Sequence, residues 1–171
     1  MTVYTTLDTP LGEILLTGEE APGADGGLTL TSLSMPGRRN APVHGPAWRA
    51  DPGLFGGAVR QLRAYFAGEL TEFDLPRTAP GGTAFTRRVW RALETIPYGT
   101  TTTYGKIAER IGAPRAAVRA VGSAIGANPL LIMLPCHRVI GANGSLTGYA
   151  GGLERKEALL TLEGALPPRL G

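Results

Sequence analysis

The residues with the most evident chemistry stand together. The run Leu130-Leu131-Ile132-Met133-Leu134 leads directly into Pro135-Cys136-His137-Arg138, and Cys136 is the single cysteine of the 171-residue chain. A thiol attacks as its thiolate, and a neighbouring base or cation favours that form. His137 supplies a titratable imidazole and Arg138 a fixed positive charge. The apolar pentad reads as a buried strand, and Pro135, with no N–H to give, breaks it. Cys136 is then expected at the mouth of that strand. Side chains at i and i+1 diverge, so a proton passes from Cys136 to His137 more readily through a water than directly. Cys-His adjacency alone leaves two alternatives open, a nucleophile or an inert buried thiol.

Composition removes several other chemistries. One cysteine makes no internal disulfide, and no Cys-x-x-Cys zinc spacing exists. The two histidines, His44 and His137, lie far apart in the sequence, so no metal centre is expected. The start Met1-Thr2-Val3-Tyr4 lacks a basic region followed by an apolar stretch. The longest aliphatic run, Leu130–Leu134, is far short of a membrane span. These features predict a soluble, cytoplasmic protein of a reducing compartment, without a membrane partner.

The elements that must position Cys136 fall into two groups. Residues 3–34 read as strands broken by turns, with Leu28, Leu30 and Leu33 alternating with threonines and the loop Gly23–Gly27 before them. Residues 35–53 read as an irregular linking loop carrying Arg38-Arg39. Phe55, Ala58, Val59, Leu62, Tyr65 and Phe66 recur at three- and four-residue steps and predict a helix over 53–67, ended by Gly68. Residues 76–83 read as a linker. Charge changes sign there. Residues 1–80 hold 6 Lys+Arg and 9 Asp+Glu, net −3, and residues 81–171 hold 11 and 5, net +6. The boundary is therefore placed at 80, and the basic half is a candidate for meeting a polyanion.

That second half reads as mostly helical. Phe85, Val89, Leu93 and Ile96 define one helix, Tyr104, Ile107, Ala108 and Ile111 a short second one ended by Gly112. Arg115–Ala127 forms a third with Pro114 at its start, and residues 153–163 a last one before Gly164. The middle pair reads as a helix-turn-helix. Its second helix offers Ala116, Ala117, Ala120, Gly122, Ser123 and Ala124, a thin surface with few side chains to read base edges. Such a surface fits the narrow minor groove, or it permits tight helix packing; the pattern alone leaves both open.

The stretch Pro135-Cys136-His137-Arg138-Val139 resembles the O6-alkylguanine-DNA alkyltransferases, also called methylated-DNA–protein-cysteine methyltransferases. The resemblance includes Phe85-Thr86, Val89-Trp90, Ile96-Pro97-Tyr98-Gly99, Tyr104-Gly105-Lys106-Ile107-Ala108, Arg119-Ala120-Val121-Gly122, Asn128-Pro129, the Gly148–Gly152 loop and Lys156-Glu157. It covers residues 84–163 closely and the first half loosely, through the strand-rich opening and Gln61–Gly68. It implies an α/β N-terminal domain with a small antiparallel sheet (1–80). A mostly α C-terminal domain (81–171) would carry a winged-helix-like helix-turn-helix.

By that resemblance Cys136 accepts the alkyl group from O6 of a damaged guanine, and from O4 of thymine, once per molecule. His137 acts as base through a water, Glu163 holds and polarises His137, and Asn128 braces the turn before the cysteine. Tyr104 presses on the target phosphate, helps rotate the nucleotide out and donates to O6. Val139, Tyr149 and the loop with Ala150 line the guanine pocket. Arg119 enters the minor groove of double-stranded DNA in place of the extruded base, beside Ala117 and Ala120, and Thr86 contacts the phosphate backbone. No cofactor, metal or obligate protein partner is implied. Sequence position points the same way for Glu163, which follows Leu159 by four residues and Leu160 by three and so lies on the apolar side of its helix, where a carboxylate needs a partner; read alone, an exposed glutamate of the last turn fits equally well. Read alone, Asn128-Pro129 is a turn signal, Tyr104 a core tyrosine and Arg119 a surface arginine. Two departures stand out. Ala150 replaces a pocket serine of some members, leaving only a backbone N–H for O6. Val118 adds a residue before Arg119. The first-domain zinc cysteines of some relatives and the separate phosphotriester-repair module are absent.

Overall fold

The computed structural model describes residues 2–23, 25–35 and 47–166. Arg38, Arg39 and His44 lie outside the described residues. The chain divides into two compact units, Met1–Pro80 and Gly81–Gly171.

In the first unit, β1 (Thr2–Thr9) and β2 (Gly12–Glu20) pair antiparallel from Thr2↔Glu19 to Thr9↔Gly12. The hairpin closes on Thr9, whose hydroxyl accepts from Leu11 N at 3.1 Å and donates to the Gly12 carbonyl at 2.7 Å. β3 (Leu28–Ser34) pairs antiparallel with β2, and the short β4 (Arg49–Ala50) pairs parallel with β1, giving the order β3-β2-β1-β4. Helix α1 (Gly56–Phe66) buries Ala58, Leu62 and Tyr65, one stripe at helical spacing, and packs against β1. Val3, Ile14, Leu16, Leu30 and Leu33 supply the sheet's share of the core.

The segment read as a linker over 76–83 is partly structural. Leu30 N–H donates to the Pro76 carbonyl at 3.0 Å, and Thr78 N–H donates to the Leu30 carbonyl at 2.9 Å. β3 is an edge strand with unpaired backbone groups, and this segment satisfies some of them, although Pro-Arg-Thr carries no strand signal.

In the second unit, α2 (Ala84–Leu93) is capped by Thr83, whose hydroxyl accepts from Thr86 N. Its buried face presents Val89, Trp90 and Leu93, and Trp90 Nε1–H donates to the Ala124 carbonyl at 2.9 Å. β5 (Thr102–Thr103) runs into α3 (Tyr104–Arg110), with Thr103 capping through Lys106 N. Gly112, at φ 72°, ends that helix. The helix expected over 115–127 is not continuous. Pro114 is extended, Arg115–Ala117 forms a 3-10 turn, and α4 (Val118–Gly126) begins only at Val118. Ala117 N–H reaches the Pro114 carbonyl at 2.8 Å, which tightens the start to a three-residue step. Val118 therefore sits at the junction of two helical geometries. β6 (Val139–Ile140) pairs parallel with β5, and α5 (Leu153–Leu162) ends at Glu163, its C-cap, followed by Gly164 at φ 78°.

Leu130–Leu134 is not a strand. It is buried throughout but folds as overlapping turns. Leu134 N–H donates to the Leu130 carbonyl and Met133 N–H to the Leu131 carbonyl, both at 2.9 Å; Cys136 N–H donates to the Leu134 carbonyl at 2.7 Å. The Leu131–Met133 bond closes around Ile132, a β-branched residue at φ 72°. Such a three-residue turn is strained, at a cost of about 1–3 kcal/mol. A short apolar run has no period that separates strand from buried turn. Among the described residues no helix is long and apolar enough to cross a membrane.

Candidate active site

Three pieces of the second unit converge: the turns before Cys136, the 3-10 turn Cys136–Arg138, and the end of α5. Asn128 organises the first. Its Nδ2 donates to the Leu134 carbonyl at 2.8 Å and to Cys136 Sγ at 3.2 Å, while Oδ1 accepts from Leu130 N at 2.8 Å. One buried amide thus uses both protons and its oxygen on the loop that carries the thiol.

Cys136 is free and buried, 3% exposed. Burial pushes its thiol up to about 11, against opposing pulls from the Asn128 hydrogen bond and the Lys156 charge. The resting side chain is therefore a thiol at neutral pH. His137 is fully buried, and Nε2 lies 2.8 Å from Glu163 Oε2. Burial holds the imidazole below its ordinary value, with Glu163 opposing. A neutral ring beside a carboxylate carries its proton on Nε2, which leaves Nδ1 as the free base. Nδ1 and the Tyr149 hydroxyl are buried without a protein hydrogen-bond partner. The two rings meet edge-on, with centroids 6.4 Å apart.

Glu163 serves two donors. Its carboxylate also accepts from Arg138 Nε at 2.7 Å and Nη2 at 3.0 Å, and Arg138 Nη1 donates to the Ile96 carbonyl at 2.7 Å. This fork geometry is the strong form of the arginine–carboxylate pair. The sequence reading gave Arg138 only a general positive charge and assigned it no partner. Pairing across 25 residues has no local signature.

Lys156 went unassigned as well. It is fully buried on α5, and Nζ donates to the carbonyls of Val139 at 2.6 Å, Thr147 at 2.6 Å and Gly148 at 3.3 Å. Burial brings its ammonium down to about 8, with the Cys136 charge opposing. Its spacing from Leu159 and Leu160 placed it on the apolar face, a signal that a buried cation needs acceptors.

The structure thus brings Cys136, His137, Glu163 and Asn128 together. Val139 is buried in β6 immediately after them, and Tyr149 closes on His137. Ala150 is half-buried in the following turn. Tyr104 opens α3, and its hydroxyl accepts from Thr147 Oγ1 at 3.1 Å. Arg119 and Ala120 are exposed on α4, and Ala117 is half-buried in the preceding turn. Thr86 contributes its N–H to the α2 cap, and its hydroxyl lies 3.0 Å from that of Thr83. No group of three or more His, Cys, Asp and Glu side chains gathers among the described residues.

A buried thiol held by Asn128, next in sequence to an imidazole–carboxylate pair in a unit built around a helix-turn-helix, is an arrangement suited to nucleophilic chemistry. Comparison with known proteins specifies the class. Residues 84–165 match the family described as 6-O-methylguanine DNA methyltransferase, DNA binding domain, and residues 2–78 match its ribonuclease-like domain. A Mycobacterium bovis methylated-DNA–protein-cysteine methyltransferase is 54% identical over 165 residues, 96% of this chain and 94% of the relative. A Methanosarcina acetivorans protein of the same name is 51% identical over 162 residues, 95% and 98% of the two chains. The crystal structure of Mycobacterium tuberculosis OGT in complex with DNA matches with TM-score 0.84 at 53% identity, covering 95% of this chain and 93% of that one. This chain belongs to the 6-O-methylguanine DNA methyltransferase family. Its activity is transfer of a methyl group from methylated DNA to a protein cysteine, a DNA-repair reaction.

Proposed function

We propose that Cys136 is the acceptor and that each molecule reacts once. The sulfur attacks the carbon on O6 of an alkylguanine, or on O4 of an alkylthymine. The S–C bond forms as the C–O bond breaks, and the base leaves with the oxygen and its electron pair. His137 Nδ1 takes the thiol proton through a water, and Glu163 balances the imidazolium that results. The departing oxygen regains a proton from the relay or from Tyr104. The thioether is stable, so nothing regenerates the thiol.

The observation that carries this reading is the buried Cys136–His137–Glu163 array, with His137 Nε2 against the Glu163 carboxylate and Nδ1 without a protein partner. A second feature fits alkyl transfer and disfavours a cysteine hydrolase. Cys136 N–H is spent on the Leu134 carbonyl, so it is not a donor for a tetrahedral oxyanion. Displacement at an alkyl carbon needs no such donor.

Double-stranded DNA meets the helix-turn-helix through the minor groove in this reading. Ala117, Ala120 and Gly122 allow close approach, and the target nucleotide leaves the stack to reach Val139, Tyr149 and the N–H of Ala150. Arg119 fills the vacated space, and Thr86 supports the backbone. The test is intact mass and peptide mapping after incubation with duplex O6-methylguanine. One methyl-mass increase, confined to the Cys136 peptide and absent from Cys136→Ser, is the expected result. Turnover beyond one product per protein, or an adduct elsewhere, overturns it.

A further inference from the structure

Tyr104 is held from two sides. Its ring lies by Gly122 of α4, where an added Cβ would stand 4.0 Å from Cδ1. Its hydroxyl accepts from Thr147 Oγ1 at 3.1 Å. Thr147 is itself anchored from below, because the buried Lys156 ammonium donates to its carbonyl at 2.6 Å and to the next carbonyl, Gly148, at 3.3 Å. Lys156 also holds the Val139 carbonyl. The exposed Thr147 side chain therefore stands on a backbone fixed from the core, three residues after Gly144 and two before Tyr149.

A phenol has one proton and accepts through its lone pairs. When the Thr147 hydroxyl donates to Tyr104 Oη, the Tyr104 proton points away from Thr147. Accepting one hydrogen bond also polarises the phenol as a donor. We propose that Thr147 is a positioning residue for alkyl transfer: by donating to Tyr104 it aims the Tyr104 O–H at the extruded base. The proposal rests on the reading that Tyr104 meets the target nucleotide. It gives Thr147, to which sequence analysis assigned no role, a part in the reaction through Tyr104 alone.

The test is a single-turnover rate series on duplex O6-methylguanine with Thr147→Val, Thr147→Ser, Tyr104→Phe and the Thr147→Val/Tyr104→Phe double variant. Valine keeps the shape of threonine and removes the donor; serine keeps the donor. One neutral hydrogen bond of this kind corresponds to roughly a 3- to 10-fold change. Thr147→Val is expected to react about that much more slowly, with duplex affinity unchanged, and Thr147→Ser within about 2-fold of the unaltered protein. Tyr104→Phe is expected to be slow, and adding Thr147→Val to it should cost nothing more, because the phenol through which Thr147 acts is gone. Three results overturn the proposal: an unaffected Thr147→Val, a Thr147→Ser as slow as the valine variant, or losses that multiply in the double variant. A Tyr104→Phe rate equal to that of the unaltered protein overturns it together with the assignment of Tyr104. A failure of Cys136 to acquire the alkyl group in the unaltered protein is a separate outcome and would remove the underlying reaction.

Discussion

At the scale of single residues, Glu163 has two tasks that mutation cannot separate cleanly. It supports His137 and it neutralises Arg138, whose side chain is 9% exposed. Glu163→Gln leaves that guanidinium buried without a counter-charge, a loss of about 3–5 kcal/mol. Thermal denaturation of this variant is expected at a clearly lower temperature, alongside slowed transfer. His137→Phe removes the base and leaves the Arg138–Glu163 pair in place, so it is the cleaner probe. Its single-turnover rate is expected to fall by about 100-fold or more with a smaller change in melting temperature. If the double variant is no slower than the worse single variant, the pair acts as a unit; fully multiplicative losses in rate would contradict the relay.

At the scale of elements, the seat of the thiol depends on Asn128. Asn128→Ala orphans the Leu130 N–H inside the protein, takes one of its two donors from the Leu134 carbonyl and removes the donor to Sγ. A loss of about 2 kcal/mol or more is expected, read as a lower denaturant midpoint. The same change also withdraws a pull that keeps the thiol from rising further. Labelling of the free protein by iodoacetamide is expected to be slow at pH 7 and to rise with pH toward about 11. The Asn128→Ala profile should be displaced to higher pH, and a displacement to lower pH would contradict the role of that hydrogen bond. Much of this architecture was legible in the sequence. The helix periods of α1, α2 and α3 stood out because each buries one stripe, whereas spacing left Glu163 divided between the apolar side of its helix and an exposed last turn, and the fold buries it. Leu130–Leu134 was misread because five consecutive apolar residues have no period. Its turns are held by an Asn128 side chain and by a positive φ at Ile132, neither of which hydrophobicity encodes. Arg138–Glu163 and Lys156–Val139 were invisible for a different reason: both join residues that the sequence keeps far apart.

At the scale of the whole molecule, charge is divided unevenly along the chain, −3 in residues 1–80 and +6 in residues 81–171. Affinity for duplex DNA is expected to fall linearly on logarithmic axes as salt rises, with a slope set by a few phosphate contacts. Little preference for sequence is expected, since α4 presents few base-reading side chains, and a strong consensus site from a binding selection would contradict minor-groove engagement. Arg119→Ala separates extrusion from chemistry. It is expected to slow repair of duplex O6-methylguanine by roughly 10- to 1000-fold, because in the proposed reading extrusion costs a few kcal/mol and Arg119 offsets part of it. Reaction with free O6-benzylguanine, which needs no extrusion, should stay within a few-fold. Equal slowing on both would assign Arg119 to the fold or the pocket. No slowing on either would mean that the displaced start of α4 has put another side chain, such as Arg115, into that place.

With Cys136 as the proposed acceptor, the solitary buried cysteine turns each molecule into a counter that advances once. With one thiol in the chain and a thioether that does not revert, the fraction of protein carrying an alkyl mark equals the number of lesions repaired per molecule. The identity of the mark records which group was removed. A thiol 3% exposed and ionised mainly near pH 11 gives stray electrophiles little to react with, so the count advances with damaged DNA and stays low in its absence. A population of this protein drawn from a cell is in that sense a dosimeter, readable from a single mass spectrum.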